Sequence, residues 1–167
     1  MDAALDVIAM HGVAGTSHRK VAAAASVPLG SMTYYFAGMD QLLHEAFGRF
    51  ADRGMERFAT RISQAATPAE ALDAVIDGIV ADIPASGSDE QVIVYELYTL
   101  AARDPRYRDI TERWMERARE ALTTHFDPTT SRLLDALIEG FAVHRTLDRD
   151  PADTADLLEG FRRITRR

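Results

Sequence analysis

Residues 12–43 read GVAGTSHRKVAAAASVPLGSMTYYFAGMDQLL. Just ahead of them, Leu5, Ile8 and Ala9 recur at i, i+3 and i+4, which predicts a helix over residues 2–11 that Gly12 stops. Gly15 then admits a turn, and Thr16 or Ser17 is suited to cap a second helix with Val21, Ala22 and Ala25 on its buried side. Ser26 and Val27 make the next turn. Pro28 belongs in the first turn of a third helix, which has no use for its amide hydrogen, and that helix runs through Gly30, Ser31, Met32, Thr33, Tyr34 and Tyr35. The small residues from Ala22 to Ala25 let the two helices cross closely, as a helix-turn-helix requires. On spacing alone, an ordinary helical hairpin edged with tyrosines would look the same.

Ala3-Ala4-Leu5, Gly12, Thr16-Ser17, Val21-Ala22, Ala25, Val27, Gly30, Ser31-Met32, Tyr34-Tyr35-Phe36 and Leu42-Leu43 stand at fixed offsets from one another. In this, residues 3–43 resemble the N-terminal DNA-binding domain of the TetR family of bacterial transcription regulators. The resemblance implies that Arg19, Leu29, Gly30, Ser31 and Thr33 face base edges, while Ser17, His18, Tyr34 and Tyr35 face phosphates. Arg19 has the planar fork that grips guanine, and hydroxyls can donate to phosphate oxygens. Leu29 offers apolar contact alone, for instance with a thymine methyl.

Several positions depart from the family pattern. Ser26 stands at the usual turn glycine, Thr33 at the usual first tyrosine, and Met39 at a lysine that commonly touches phosphate. The sequence also opens almost at the first helix, without the basic arm that many such regulators carry. Residues 1–50 hold Arg19, Lys20 and Arg49 against Asp2, Asp6, Asp40 and Glu45, one net negative charge. So few cations neutralise few phosphates, which predicts modest affinity and a shallow salt dependence per protomer.

Composition agrees with such a protein without selecting it. The 167 residues are 47% hydrophobic, enough for a proper core. No run of eighteen apolar residues and no signal-peptide pattern occurs, so a soluble, cytoplasmic protein without a membrane partner is expected. The absence of cysteine excludes disulfides, thiolate metal sites and thiol redox sensing. A net charge of −7 argues against a protein that coats nucleic acid nonspecifically, yet most of it lies beyond residue 50 and can face away from DNA.

Helix starts are legible in the remainder. Thr67-Pro68-Ala69-Glu70, Ser88-Asp89-Glu90-Gln91 and Asp150-Pro151-Ala152-Asp153 each set a capping side chain three residues ahead of an acceptor. Asp104-Pro105 and Asp127-Pro128 read as cap-plus-proline entries. These signals predict helices over 39–64, 68–82, 89–102, 105–125, 129–147 and 151–165. The expected fold is all-α with about nine helices: a helix-turn-helix domain over 1–46 and a helical ligand-binding and dimerisation domain over 47–167.

Leu134, Leu137, Ile138, Phe141 and Arg145 line one side of the penultimate predicted helix, and Leu157, Leu158, Phe161 and Ile164 line the last. Paired helices of this kind join TetR-like proteins into dimers, which makes Leu134, Ile138, Phe141, Leu157 and Phe161 candidate interface residues. Gly140 would admit a second backbone. A helix-turn-helix protein that spans two half-sites needs such a mate. Phe58, Tyr95, Tyr98, Trp114 and Phe141, with Met55, are candidates to line an apolar effector cavity, with Arg117 or His144 as its polar exception. All of these residues also have the spacing of ordinary core.

No catalytic set is expected. The five histidines stand singly, without His-Glu-x-x-His spacing, a Gly-rich phosphate loop or a Ser-His-Asp order in a strand-turn-helix context. Glu96, Asp104 and Glu112 read as caps and solvated helix faces, and no metal or cofactor is called for. Two readings stay open. The first is a homodimeric repressor that binds an operator in double-stranded DNA and responds to a small-molecule effector of unknown identity. The second is a helical small-molecule-binding or interaction module whose head grips DNA weakly or not at all.

Overall fold

The computed structural model describes residues 1–83, 88–151 and 153–166. Among these residues lie nine α-helices, one 3-10 turn and no strand. The helices are α1 Asp2–His11, α2 His18–Ala24, α3 Leu29–Tyr35, α4 Met39–Ser63, α5 Pro68–Asp82, α6 Asp89–Arg103, α7 Arg108–Thr123, α8 Pro128–Leu147 and α9 Thr154–Thr165, with the 3-10 turn at Pro105–Tyr107.

The capping residues explain most of these starts. Thr67 accepts a hydrogen bond from the Glu70 N–H at 3.2 Å, and Glu70 reaches back to accept one from the Ala66 N–H at 2.8 Å, so two otherwise orphaned donors are satisfied. Asp127 caps α8 by accepting from the N–H groups of Thr129 and Thr130. Two expectations are corrected. The helix predicted over 105–125 is split, because Asp104 caps the short 3-10 turn before α7 begins at Arg108. The last helix starts at Thr154, with Asp153 as its cap accepting from the Asp156 N–H at 3.0 Å, so Asp150 does not cap it. Ala152 lies outside the described residues.

The chain divides into two compact units, neither continuous in sequence. The first joins Met1–Arg53 to Asp89–Glu112. In it α1 packs on α2 and on α6, and α2 packs on α3. Ala4, Leu5, Ile8, Val21, Ala22 and Met32 are buried in the head, as are Leu42, Phe47 and Leu97 of α4 and α6. Arg106 bridges Asp104 and Asp40, at 2.8 Å to the latter, which ties the start of α4 to the turn that follows α6.

The second unit comprises Gly54–Ser88 and Arg113–Arg167. Ile62, Leu72, Ile79, Leu122, Leu134 and Phe161 belong to its apolar core. Fully burying a side chain of this size contributes about 1.5–3 kcal/mol. At the edge of this core Arg61 grips Asp82 with both guanidinium nitrogens, at 2.6 and 3.1 Å, and fastens the α4 segment to α5.

Candidate nucleic-acid interface

The head is held from inside. Ser17 caps α2, its hydroxyl oxygen accepting from the Lys20 N–H at 3.3 Å, which leaves the hydroxyl proton for another acceptor. His18 turns Nε2 inward, where the atom is buried and has no hydrogen-bond partner among the described residues. Arg19 is exposed and enters no hydrogen bond or ion pair among the described residues. Its neighbour Lys20 folds back instead, donating from Nζ to the Gly15 carbonyl at 2.8 Å. A Cβ on Gly15 would collide with the His11 carbonyl oxygen, so close packing rather than the backbone angle demands glycine there.

The turn between α2 and α3 passes through Ser26 at φ +54°, a left-handed conformation. Pro28 is the N-cap of α3, one position earlier than its sequence suggested, and Leu29 opens the helix. Met32 anchors α3, at 5% exposure. Leu29, Gly30, Thr33, Tyr34 and Tyr35 are exposed, while Ser31 is half-buried. Among the described residues a Cβ on Gly30 would meet nothing within 4 Å, and Thr33 Oγ1 donates to the Gly30 carbonyl at 3.0 Å. The rings of Tyr34 and Tyr35 meet edge to face with centroids 5.0 Å apart, and they are 82% and 70% exposed. Both rings stand largely in water, and each carries a hydroxyl that can donate.

The residues expected to hold an effector fall in both units. Tyr95 and Tyr98 stand on α6, and the buried Tyr95 hydroxyl has no hydrogen-bond partner among the described residues. In the second unit Phe58 packs against the cluster that contains Phe141. Trp114 is half-buried beside Gly54, where a Cβ would stand 3.5 Å from Cη2 of the indole. Met55 is buried, Arg117 half-buried and His144 exposed. His144 and Phe141 line a groove of about 750 Å³ with Leu137, Gly140 and Asp148. Of the expected interface residues, Leu134, Phe141, Leu157 and Phe161 sit in the core of their own chain, and Ile138 packs against it.

A family model for bacterial regulatory proteins of the tetR family matches residues 1–46, and one for tetracyclin repressor-like C-terminal domains matches residues 63–167. The chain belongs to the TetR family. Its solved relatives agree over nearly the whole length. SCO7518 of Streptomyces coelicolor A3(2), assigned as a transcriptional regulator, is 50% identical, with 99% of this chain and 95% of that one covered and a TM-score of 0.90. SCO1917 from Streptomyces coelicolor A3, a TetR-family member, is 34% identical over 98% and 94%, with a TM-score of 0.79. The multidrug binding protein EbrR, in its complex with ethidium, is 32% identical over 98% and 94%, with a TM-score of 0.79. No curated protein matches.

No helix of the described residues is long and apolar enough to cross a membrane. Two groups that shape this TetR-family head escaped the sequence reading. Glu96, read as a solvated face, accepts a hydrogen bond from the Val13 N–H. Lys20, counted among the cations, is tethered to the backbone. Neither contact follows from a capping or periodicity pattern: the first spans 83 positions, and in the second a side chain folds back onto the loop ahead of its own helix.

Proposed function

We propose that this TetR-family chain is an effector-responsive repressor that binds a palindromic operator as a homodimer. The observation that carries the reading is the exposure of Arg19 on α2, unpaired among the described residues, and of Leu29, Thr33, Tyr34 and Tyr35 on α3, in a head with a packed interior. An exposed arginine fork and tyrosine hydroxyls match guanine edges and phosphate oxygens.

Two heads require a mate. The outer side of α8 supports pairing: Leu133 and Leu147 are 52% and 67% exposed, and Ala136 and Gly140 lie on the helical path between them. In EbrR the bound molecules include ethidium, proflavin and malachite green. We take a large aromatic effector as the corresponding class here, with the unpartnered Tyr95 hydroxyl as one group that awaits a hydrogen bond. Such an effector releases DNA only by binding one head arrangement better than the other.

The net negative charge of residues 1–50 and the tethered Lys20 favour the second reading, a binding module with weak or lost DNA affinity. Selection of bound fragments from random DNA at low and moderate salt separates the two. Recovery of an inverted repeat, released by malachite green at a fixed salt concentration and at dye concentrations that bind the DNA-free protein and leave the protein-free operator unbound, supports the repressor. Failure to enrich any sequence at either salt overturns it.

A further inference from the structure

We infer that α3 reads thymine 5-methyl groups by apolar contact, with Leu29 as the specificity-determining side chain; this rests on the DNA-binding reading above. The seven residues of α3, Leu29-Gly30-Ser31-Met32-Thr33-Tyr34-Tyr35, include no arginine, lysine, asparagine, glutamine or carboxylate. None of the bidentate pairs by which side chains grip guanine, adenine or cytosine edges can therefore come from this helix.

What the start of the helix presents, ahead of the two tyrosines, is apolar and uncluttered. Met32 is spent in the core. Thr33 has already donated its hydroxyl proton to the Gly30 carbonyl. Leu29 and Thr33 share a face at i, i+4 spacing, and Val27 in the preceding turn is 40% exposed beside Leu29 at 45%. Gly30, with open space where its side chain would be, leaves nothing between this face and an approaching surface. The thymine methyl is the apolar group that base pairs display in the major groove. Singly exposed leucines are common and need no explanation; Leu29 differs in opening a helix whose exposed face has no ionic or amide group to read with. Arg19, unpaired on α2, is left as the head's fork for guanine.

The test uses the full chain and the operator recovered by selection. Each thymine is replaced singly by deoxyuridine, which removes the methyl group and nothing else. The expected result is a loss of about threefold to tenfold at one or two thymines of each half-site, the scale of one methyl group withdrawn from an apolar contact. In Leu29→Ala and Leu29→Ser the thymine-over-uracil preference at one of these positions disappears, while Leu29→Met retains it. Circular dichroism confirms that each variant is folded. An operator bound equally well with uracil at every position overturns this inference alone, as does a preference undiminished in both Leu29→Ala and Leu29→Ser. A protein that selects no DNA overturns the repressor reading and this inference with it.

Discussion

The backbone N–H of Val13 donates to Glu96 Oε2 at 3.1 Å, across 83 positions of sequence. The same carboxylate lies beside Gly12, whose φ of +66° and whose missing side chain both matter: a Cβ there would stand 2.8 Å from Glu96 Oε1. The loop that ends α1 is thus received by the middle of α6. This explains why the compact unit containing the head also includes residues 89–112.

An amide donating to a half-buried carboxylate is worth more than one donating to a neutral acceptor. Glu96→Ala is expected to lower the stability of the first unit by about 1–3 kcal/mol and to speed hydrogen exchange at the Val13 amide. Glu96→Gln, which keeps an acceptor oxygen, should lose less. Unchanged exchange at Val13 in the alanine variant would show that the contact does not hold the loop.

Ser26 offers a gain in stability. Its left-handed φ of +54° costs an ordinary residue more than it costs glycine, and the residue is exposed, so no packing is lost on trimming it. Ser26→Gly should raise stability by about 0.5–1 kcal/mol after glycine's own entropic penalty, and Ser26→Val should lower it. Thermal unfolding of the three proteins gives the order Gly above Ser above Val; the reverse order would show that the turn relaxes without cost.

The helices were legible because their signals are local. Thr67 and Asp127 cap where the sequence places them, and α5 spans its expected residues. The errors arise where two local signals compete. Asp150 and Asp153 both qualify as caps, and the chain uses the later one. Asp104-Pro105 has the form of an entry to one long helix, but Asp104 caps a 3-10 turn that begins at Pro105. The proposed interface is harder to read from sequence. Leu134, Leu157 and Phe161 form the strongest apolar stripes and the core of their own chain takes them, whereas the outward stripe carries small residues and few large ones. Periodicity finds the apolar side of a helix without saying which neighbour covers it.

Asp135 on α8 supplies a pH dependence. Burial pushes its carboxyl above the usual carboxylate range, opposed in part by the Arg119 guanidinium. The folded state therefore holds the proton more tightly than the unfolded chain, so this group favours folding increasingly as pH falls through its folded pKa, and opposes it at neutral pH. Asp135→Asn should melt higher than the wild type at about pH 7, with the difference closing toward pH 4, where the unfolded carboxyl also takes up its proton. A variant that melts lower at neutral pH would mean that attraction to Arg119 outweighs desolvation.

Gly140 gives the proposed dimer its clearest test, because there folding and pairing should respond with opposite signs. Among the described residues a Cβ at Gly140 meets nothing within 4 Å, so a side chain there is expected to be tolerated by the monomer. Replacing glycine inside a helix also improves helix formation by about 0.5–1 kcal/mol. If a second α8 packs against this face, the side chain of Gly140→Leu stands where the partner's backbone must approach, and association weakens. Leu133→Glu acts on the same stripe by burying an unpaired charge, at about 3–5 kcal/mol, while Leu134 beside it keeps the core intact. Both variants are expected to keep the wild-type helical signal and to sediment as monomers at about micromolar concentration, where the wild type is expected to be a dimer. A wild type that is monomeric there, or variants that stay dimeric, would place the mate elsewhere or remove it.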